Sequence, residues 1–370
     1  MNPVHLEKVT ALRHELHKYP ALSLQEEPTK TRLIAFLREN TSLEIVDRGA
    51  WFYAVYHAAE GAEAIALRAD MDALPIDEDD TLSYASTVPG VSHRCGHDGH
   101  VSALALAALE IDELGSDKTV YFIFQHAEEI GAGGAVCASL IKEKGISRVY
   151  GYHNWSGYPE SAVVLIHGVA QCASMGYTLN FHGKAAHAGQ PGDGANPSEA
   201  IAKLLLALPA MTEGGYNGNV WQTVVGFGAG GKNFGIAAAE GYVAMTLRAV
   251  YEEDMLAMRE RIDALASELA AAYGLGLDSE ETDVFPTTAN NEAELARVKA
   301  LAEGLGLAII EKSDPILPSE DFGCYLKECP GAFVYIGNGE DYPAIHTTLY
   351  DFNDRILPAA AGLFVTLARA

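Results

Sequence analysis

The stretch Thr119-Val-Tyr-Phe-Ile-Phe-Gln-His-Ala-Glu-Glu129 carries the reading of the fold. Its first six residues form an unalternating apolar run, the pattern of a strand covered on both faces. Its last two are adjacent carboxylates, at the C-terminal end of that strand. Three more short runs read the same way: Ala64–Leu67, Arg148–Tyr152 and Ala332–Ile336. A helix over about Gly99 to Leu114 separates two of them, which gives the strand–helix alternation of an α/β protein. Upstream, His5 to Arg38 reads as two helices broken at Pro20. Leu6, Val9, Leu12 and Leu16 recur at helical spacing in the first, and Leu33, Phe36 and Leu37 in the second.

From about Ser174 the texture changes. Tyr177–Phe181 and Gly241–Arg248 read as strands, and Pro197–Leu208 and Glu252–Tyr273 as amphipathic helices. The intervening Gly226 to Gly235 is dense in glycine. After about Pro286 the first texture resumes. The expectation is an α/β fold with a large catalytic domain (residues 1–173 and 285–370). Its mixed, mostly parallel sheet is flanked by helices, and a smaller α+β domain (residues 174–284) is inserted into it.

The chain of 370 residues is 49% hydrophobic and 20% charged, an ordinary balance for a folded protein. Its formal net charge of −25 disfavours phosphate backbones and anionic lipid, so neither nucleic acid nor membrane is an expected partner. The five cysteines, at 95, 137, 172, 324 and 329, make no disulfide framework and fit a reducing compartment. Met1 to His14 lacks an apolar signal region, and the longest apolar stretch, near Val101 to Ile111, is too short to span a bilayer. The expected location is the cytoplasm.

The densest chemical signal is His93-Arg-Cys-Gly-His-Asp-Gly-His100: one thiol, three imidazoles and a carboxylate in eight residues. Cys95 and His97, one residue apart across a flexible glycine, can reach one metal centre. A loop capped by Asp98 ahead of its helix is the plainer reading, but it needs neither Cys95 nor His97. Glu128 and Glu129, His153-Asn154, and Asp70 with Asp72 each follow a predicted strand. Taken singly, the first reads better as an exposed acidic turn and the second as a packed histidine, while Asp70 and Asp72 read equally well as turn or supporting carboxylates and as ligands. His346, in Ala344-Ile-His-Thr-Thr348, is a further donor or a surface histidine. Recurrence changes the balance, because one metal centre accounts for all of them together, at the end of the sheet where α/β proteins place ligands.

In order along the chain, these residues resemble the aminoacylase/carboxypeptidase family of dinuclear metallohydrolases. The similarity is greatest to the amidohydrolase branch that holds hippurate hydrolase, auxin-conjugate hydrolase and N-acetyldiaminopimelate deacetylase. It is carried by Leu12-Arg-His-Glu-Leu-His17, Leu67-Arg-Ala-Asp-Met-Asp-Ala-Leu-Pro75, Cys95-Gly-His-Asp98, Ala127-Glu-Glu129, His153-Asn154, Gly183-Lys-Ala-Ala-His187, Ser319-Glu-Asp-Phe322 and His346.

The resemblance implies two divalent metal ions, Zn or Mn first and Co or Ni after them, held by Cys95, His97, Glu129, His153 and His346. Cys95 takes the bridging place, and Arg68 stands where the wider family has a ligand histidine. Asp70 matches the carboxylate that orients the centre, Glu128 the general base and His187 the residue that stabilises the oxyanion. Asn233 and Arg248 match contacts to a substrate carboxylate. The inserted domain becomes a lid and a dimerisation domain, and the expected state a homodimer. The implied reaction is hydrolysis of the amide of an N-acyl amino acid or short peptide conjugate. A dipeptidase or carboxypeptidase with the same centre is the neighbouring reading, and a hydrolase with Cys95 as nucleophile and His97 as base the distant one. Pro20-Ala21 and His126 depart from the family pattern, as does the glycine-rich Gly189–Asn196 segment. These departures bear on substrate choice and leave the donor set intact.

Overall fold

The computed structural model describes residues 1–79 and 82–370. The chain divides into two compact units. The first comprises Met1–Ala170, Thr288–Pro315 and Glu320–Ala370. The second comprises Gln171–Thr287 and Ile316–Ser319.

The first unit is built on an 8-stranded sheet. From edge to edge its strands are Glu44–Asp47, Phe52–Tyr56, Thr119–Gln125, Ala64–Asp70, Arg148–Trp155, Gly331–Gly337, Val163–Ile166 and Ile309–Lys312. The four central strands, Thr119–Gln125 to Gly331–Gly337, run parallel. Antiparallel pairs lie toward the edges, so the expected mixed, mostly parallel sheet is what forms. The unalternating runs are buried on both faces, as at Val120–Gln125 and Val149–Asn154. Across one antiparallel pair, Phe52 and Phe124 stack at 4.5 Å between ring centroids, a contact worth about 0.5–1.5 kcal/mol beyond area burial.

The helix His97–Leu114 is buried from His97 to Ile111, because alanine and leucine fill nearly every position after its first turn. It packs against Pro3–Lys18 and Leu357–Arg369. Asp98 does not cap it. The N-cap is Gly96, without a side-chain cap, and Asp98 lies inside the first turn.

In the second unit a 4-stranded antiparallel sheet runs Val220–Ala229, Glu240–Ala249, Ala173–His182, Gly276–Phe285. Alternating residues of the two central strands, such as Tyr177, Leu179, Phe181, Val243, Met245 and Leu247, form a core with the helices Ser198–Ala207 and Glu252–Ala272. The two edge strands lie outside the sequence expectation. Val220–Ala229 runs into the glycine-rich region, and Gly276–Phe285 is almost wholly exposed and acidic, so neither shows a buried period-two pattern.

Candidate metal centre

The centre of the first unit lies where three adjacent parallel strands end. Ala64–Asp70 delivers Asp70 and, just beyond, Asp72. Thr119–Gln125 leads into Glu128 and Glu129, and Arg148–Trp155 ends in His153 and Asn154. Asp70 and Gln125 are register partners, so the loops after them start side by side. Cys95 and His97 flank Gly96, whose φ of +105° suits glycine. A Cβ on Gly96 would also lie 2.1 Å from Asn154 Oδ1, so this corner can close only around a bare backbone.

Two histidines are oriented by acceptors behind them. His97 Nδ1 donates to Asp72 Oδ1 at 3.2 Å, and His153 Nδ1 donates to the Asn154 carbonyl at 2.6 Å. Each thereby turns its Nε2 lone pair forward, the orientation a metal-binding histidine takes. His153 Nε2 lies 3.2 Å and His346 Nε2 3.3 Å from Cys95 Sγ. His97 Nε2 stands 3.7 Å from Glu129 Oε1 and 3.8 Å from Glu128 Oε2. His346 Nε2 is 3.8 Å from Glu129 Oε2, on the exposed rim.

The donors fit a pair of cations. His97 Nε2 and Glu129 Oε1 are buried without a hydrogen-bond partner, which is costly unless something positive sits between them. The donor atoms of Cys95, His97 and His153 all lie within 4.8 Å of one another, and so do those of Cys95, Glu129 and His346. The two sets share the Cys95 sulfur. Imidazole, thiolate and carboxylate together suit a borderline divalent ion.

The electrostatics point the same way. Burial pushes the Cys95 thiol well above its ordinary range, and Glu129 and Glu128 push it further. A nucleophilic cysteine needs the opposite shift. Its nearest imidazoles are His153 and His346 rather than His97, so the Cys95–His97 nucleophile–base pair is not assembled. Burial likewise raises Glu128, helped by Glu320 and Glu129. Burial alone would lower His97, yet Asp70 and Asp72 outweigh it and hold the ring at about 10. These carboxylates demand a positive charge at His97, and a bound cation supplies it while displacing the proton. Burial keeps His153 and His346 below the usual imidazole range, leaving them neutral and able to ligate.

Asp70 lies one layer back. It accepts from His100 Nδ1 at 2.6 Å and from Arg68 Nη1 at 2.7 Å. His100 Nε2 faces Asn154 Oδ1 at 2.8 Å. Arg68 also pairs with Asp321 at 2.7 Å and Glu320 at 3.0 Å, so Glu320 and Asp321 belong to this buried network. Asp72, besides holding His97, accepts the Glu129 N–H at 3.0 Å.

The sequence leaves Asp72 open between a turn, a support behind the ligands and ligation, and reads His100 first as part of its helix's first turn; their bonds to His97 and Asp70 place both behind the donor residues. The i, i+3 spacing of His97 and His100 on one helix face was the available signal. A second buried network joins Arg13 to Asp351 (2.7 Å), Asp354 (2.8 Å) and Asp98 (3.4 Å), and His17 to Asp98 (2.8 Å) and Glu78 (3.0 Å). It ties the first helix to the segments carrying His97 and His346.

His187, Asn233 and Arg248 belong to the second unit. His187 is exposed on a short two-stranded ribbon opposite Ile236, and its Nδ1 accepts the Gly189 N–H at 3.0 Å. Asn233 is exposed at the turn before that partner strand and accepts the Gly235 N–H at 3.0 Å. The ribbon therefore brings these two near each other. Arg248 lies apart, on the Glu240–Ala249 strand, donating to Leu317 O at 2.5 Å and Ser319 Oγ at 2.7 Å.

Comparison with known proteins agrees with this geometry. The chain is 28% identical to an N-acetylcysteine deacetylase of Bacillus subtilis, over 96% of this chain and 95% of that protein. It is 30% identical to a hippurate hydrolase of Campylobacter jejuni, over 96% and 94%. Among solved structures, a dinuclear metal-binding peptidase of the M20 family from Bacillus subtilis superposes with a TM-score of 0.82 at 26% identity, covering 99% of this chain and 98% of that one. Residues 66–370 match the family model for peptidase family M20/M25/M40, and with it the chain belongs to that family.

Proposed function

We propose that this protein is a metal-dependent amidohydrolase that cleaves the amide bond of N-acyl amino acids. The observation that carries the reading is the pair of donor sets that meet at Cys95. Glu128 stands beside them in a further set with His97 and Glu129, and the family resemblance supports its role as base rather than ligand. The relatives named for N-acetylcysteine deacetylation and hippurate hydrolysis support the substrate class. Cys95, His97, Glu129, His153 and His346 would hold two divalent ions, Zn or Mn before Co or Ni. When bound, such ions polarise the scissile carbonyl and acidify the attacking water.

Glu128 takes a proton from that water as its oxygen joins the carbonyl carbon. It then gives the proton to the nitrogen as the C–N bond breaks, leaving a carboxylic acid and an amine, which become carboxylate and ammonium when the acid's proton passes to the amine. Its burial beside other carboxylates raises its affinity for the proton it carries between the two steps. Asp72 fixes His97, and Asp70 acts one step further back, through His100 and Asn154. His187 serves as the oxyanion-stabilising group, and Asn233 and Arg248 as contacts to a substrate carboxylate. The resemblance supports these three roles.

We further assign residues 174–284 as a lid and dimerisation domain, residues 1–173 and 285–370 as the catalytic domain, and the cytoplasm as the location. Among the described residues no helix is long and apolar enough to cross a membrane. A homodimer is supported by the sheet-edge strand Val220–Ala229, which exposes Val225 and Phe227 at 67% and 60%.

The test is metal analysis of the purified protein, then turnover on N-acetyl and N-benzoyl amino acids and on dipeptides. Two ions per chain and hydrolysis that depends on the free carboxylate are expected. Full turnover after chelation would overturn the proposal. Preference for unblocked dipeptides would move it to the peptidase reading.

A further inference from the structure

Glu128 and Glu129 sit on a turn whose backbone is unusual. Ala127, fully buried, has φ +49°, a left-handed conformation that a non-glycine residue keeps only where its surroundings enforce it. The surroundings are specific. The Ala127 carbonyl accepts from Ala132 N at 3.0 Å and Gly133 N at 3.1 Å, and the Glu128 carbonyl accepts from Gly131 N at 2.8 Å. Gly133 packs so tightly that a Cβ there would lie 1.7 Å from His126 O.

The N–H groups on either side of Glu128 are held by carboxylates from elsewhere in the chain. Glu129 N donates to Asp72 Oδ2 at 3.0 Å, and Ala127 N donates to Glu26 Oε1 at 2.7 Å. Asp72 is in turn braced by Ser23 Oγ at 2.7 Å. The loop between the first two helices thus reaches both anchors.

Glu26 is the less expected of the two. It occupies the N-cap position of the helix Glu27–Asn40, yet its side chain makes no capping bond to that helix. It is 2% exposed. Burial, with the nearby Asp72, lifts it to about 7. Besides the local backbone of its own loop, this buried carboxylate accepts a peptide N–H 101 residues away in the chain.

We propose that Glu26 is a positioning residue for the base Glu128, acting through the Ala127 N–H to hold the left-handed turn. The inference rests on the assignment of Glu128 made above.

Glu26→Met and Glu26→Gln fill similar space without and with a hydrogen-bond acceptor, so comparing them isolates the bond. In the methionine variant, kcat on an N-acetyl amino acid is expected to fall about 10- to 100-fold, the scale of a misplaced catalytic group. KM should stay within about twofold, with two metal ions still bound per chain. The glutamine variant should keep kcat within about threefold, because the acceptor remains. Amide hydrogen exchange should accelerate in residues 127–131 of the methionine variant, while the helix 97–114 stays protected.

Unchanged kcat in the methionine variant would overturn the proposal. So would a glutamine variant as slow as the methionine one, or loss of metal and of protection throughout the unit. Should Glu26→Met not fold, Glu26→Ala, which admits water to the N–H, gives the same comparison against glutamine. If the wild-type protein hydrolyses no N-acyl amino acid, the functional assignment fails. The exchange measurement still decides whether Glu26 pins the turn, and unchanged exchange at 127–131 overturns it.

Discussion

Two buried polar regions of the first unit lie at similar depth and differ in balance. Around Cys95, thiol, imidazoles and carboxylates crowd together, and His97 Nε2 and Glu129 Oε1, 3.7 Å apart, make no hydrogen bond. Burial and mutual repulsion push Cys95 and Glu128 toward their protonated forms. Around Arg13 the carboxylates meet cations instead. Burial alone would raise Asp98, yet His93, His17 and Arg13 pull it far below the usual carboxylate range. The first region is short of positive charge and the second carries its own. Depth of burial therefore does not distinguish a binding centre from a brace, whereas the sign of the uncompensated charge does.

Adding or removing positive charge should act in opposite ways on the two regions. The largest effect is expected from stripping metal. Exhaustive chelation should abolish turnover on N-acyl amino acids, and Zn²⁺ or Mn²⁺ should restore it. Glu128→Gln should come next, lowering kcat about 10²- to 10⁴-fold with metal content unchanged, since it removes proton transfer without removing a donor. Equal turnover in that variant would dissolve the distinction between Glu128 and Glu129.

Arg13→Met should destabilise the fold by about 3–5 kcal/mol in urea titration, because it strands buried carboxylates without their cation. Glu129→Gln should do the reverse in metal-free protein near pH 8, stabilising it on the order of 1–2 kcal/mol while abolishing metal binding. If both substitutions destabilised metal-free protein equally, the contrast would fail.

The smallest effect concerns His17. Burial alone would lower it, but its bonds to Asp98 and Glu78 raise it to about 9. A folded-state value above the unfolded 6.5 gives stability that is complete below about 6.5 and lost as pH rises through about 9. The stability difference between wild type and His17→Gln should shrink across that interval.

Much of the donor set was legible because its residues are tied to strand ends. An unalternating run such as Thr119–Phe124 announces a covered strand, and the polar residues that follow it have one place to go. What lies behind the donors was less legible. Asp72, Glu26 and Arg13 owe their roles to partners 25, 101 and 338 residues distant, and no local pattern encodes such pairings. The same holds for the strands Val220–Ala229 and Gly276–Phe285, which are fixed by pairing with central neighbours rather than by their own periodicity.

The meeting of His346 with Cys95 spans 251 residues. Cys95 and His153 stand only 58 residues apart, so the contact to His346 reaches more than four times farther along the chain. Ions bound as proposed would tie the chain across that span, and binding would then add to the stability of the fold.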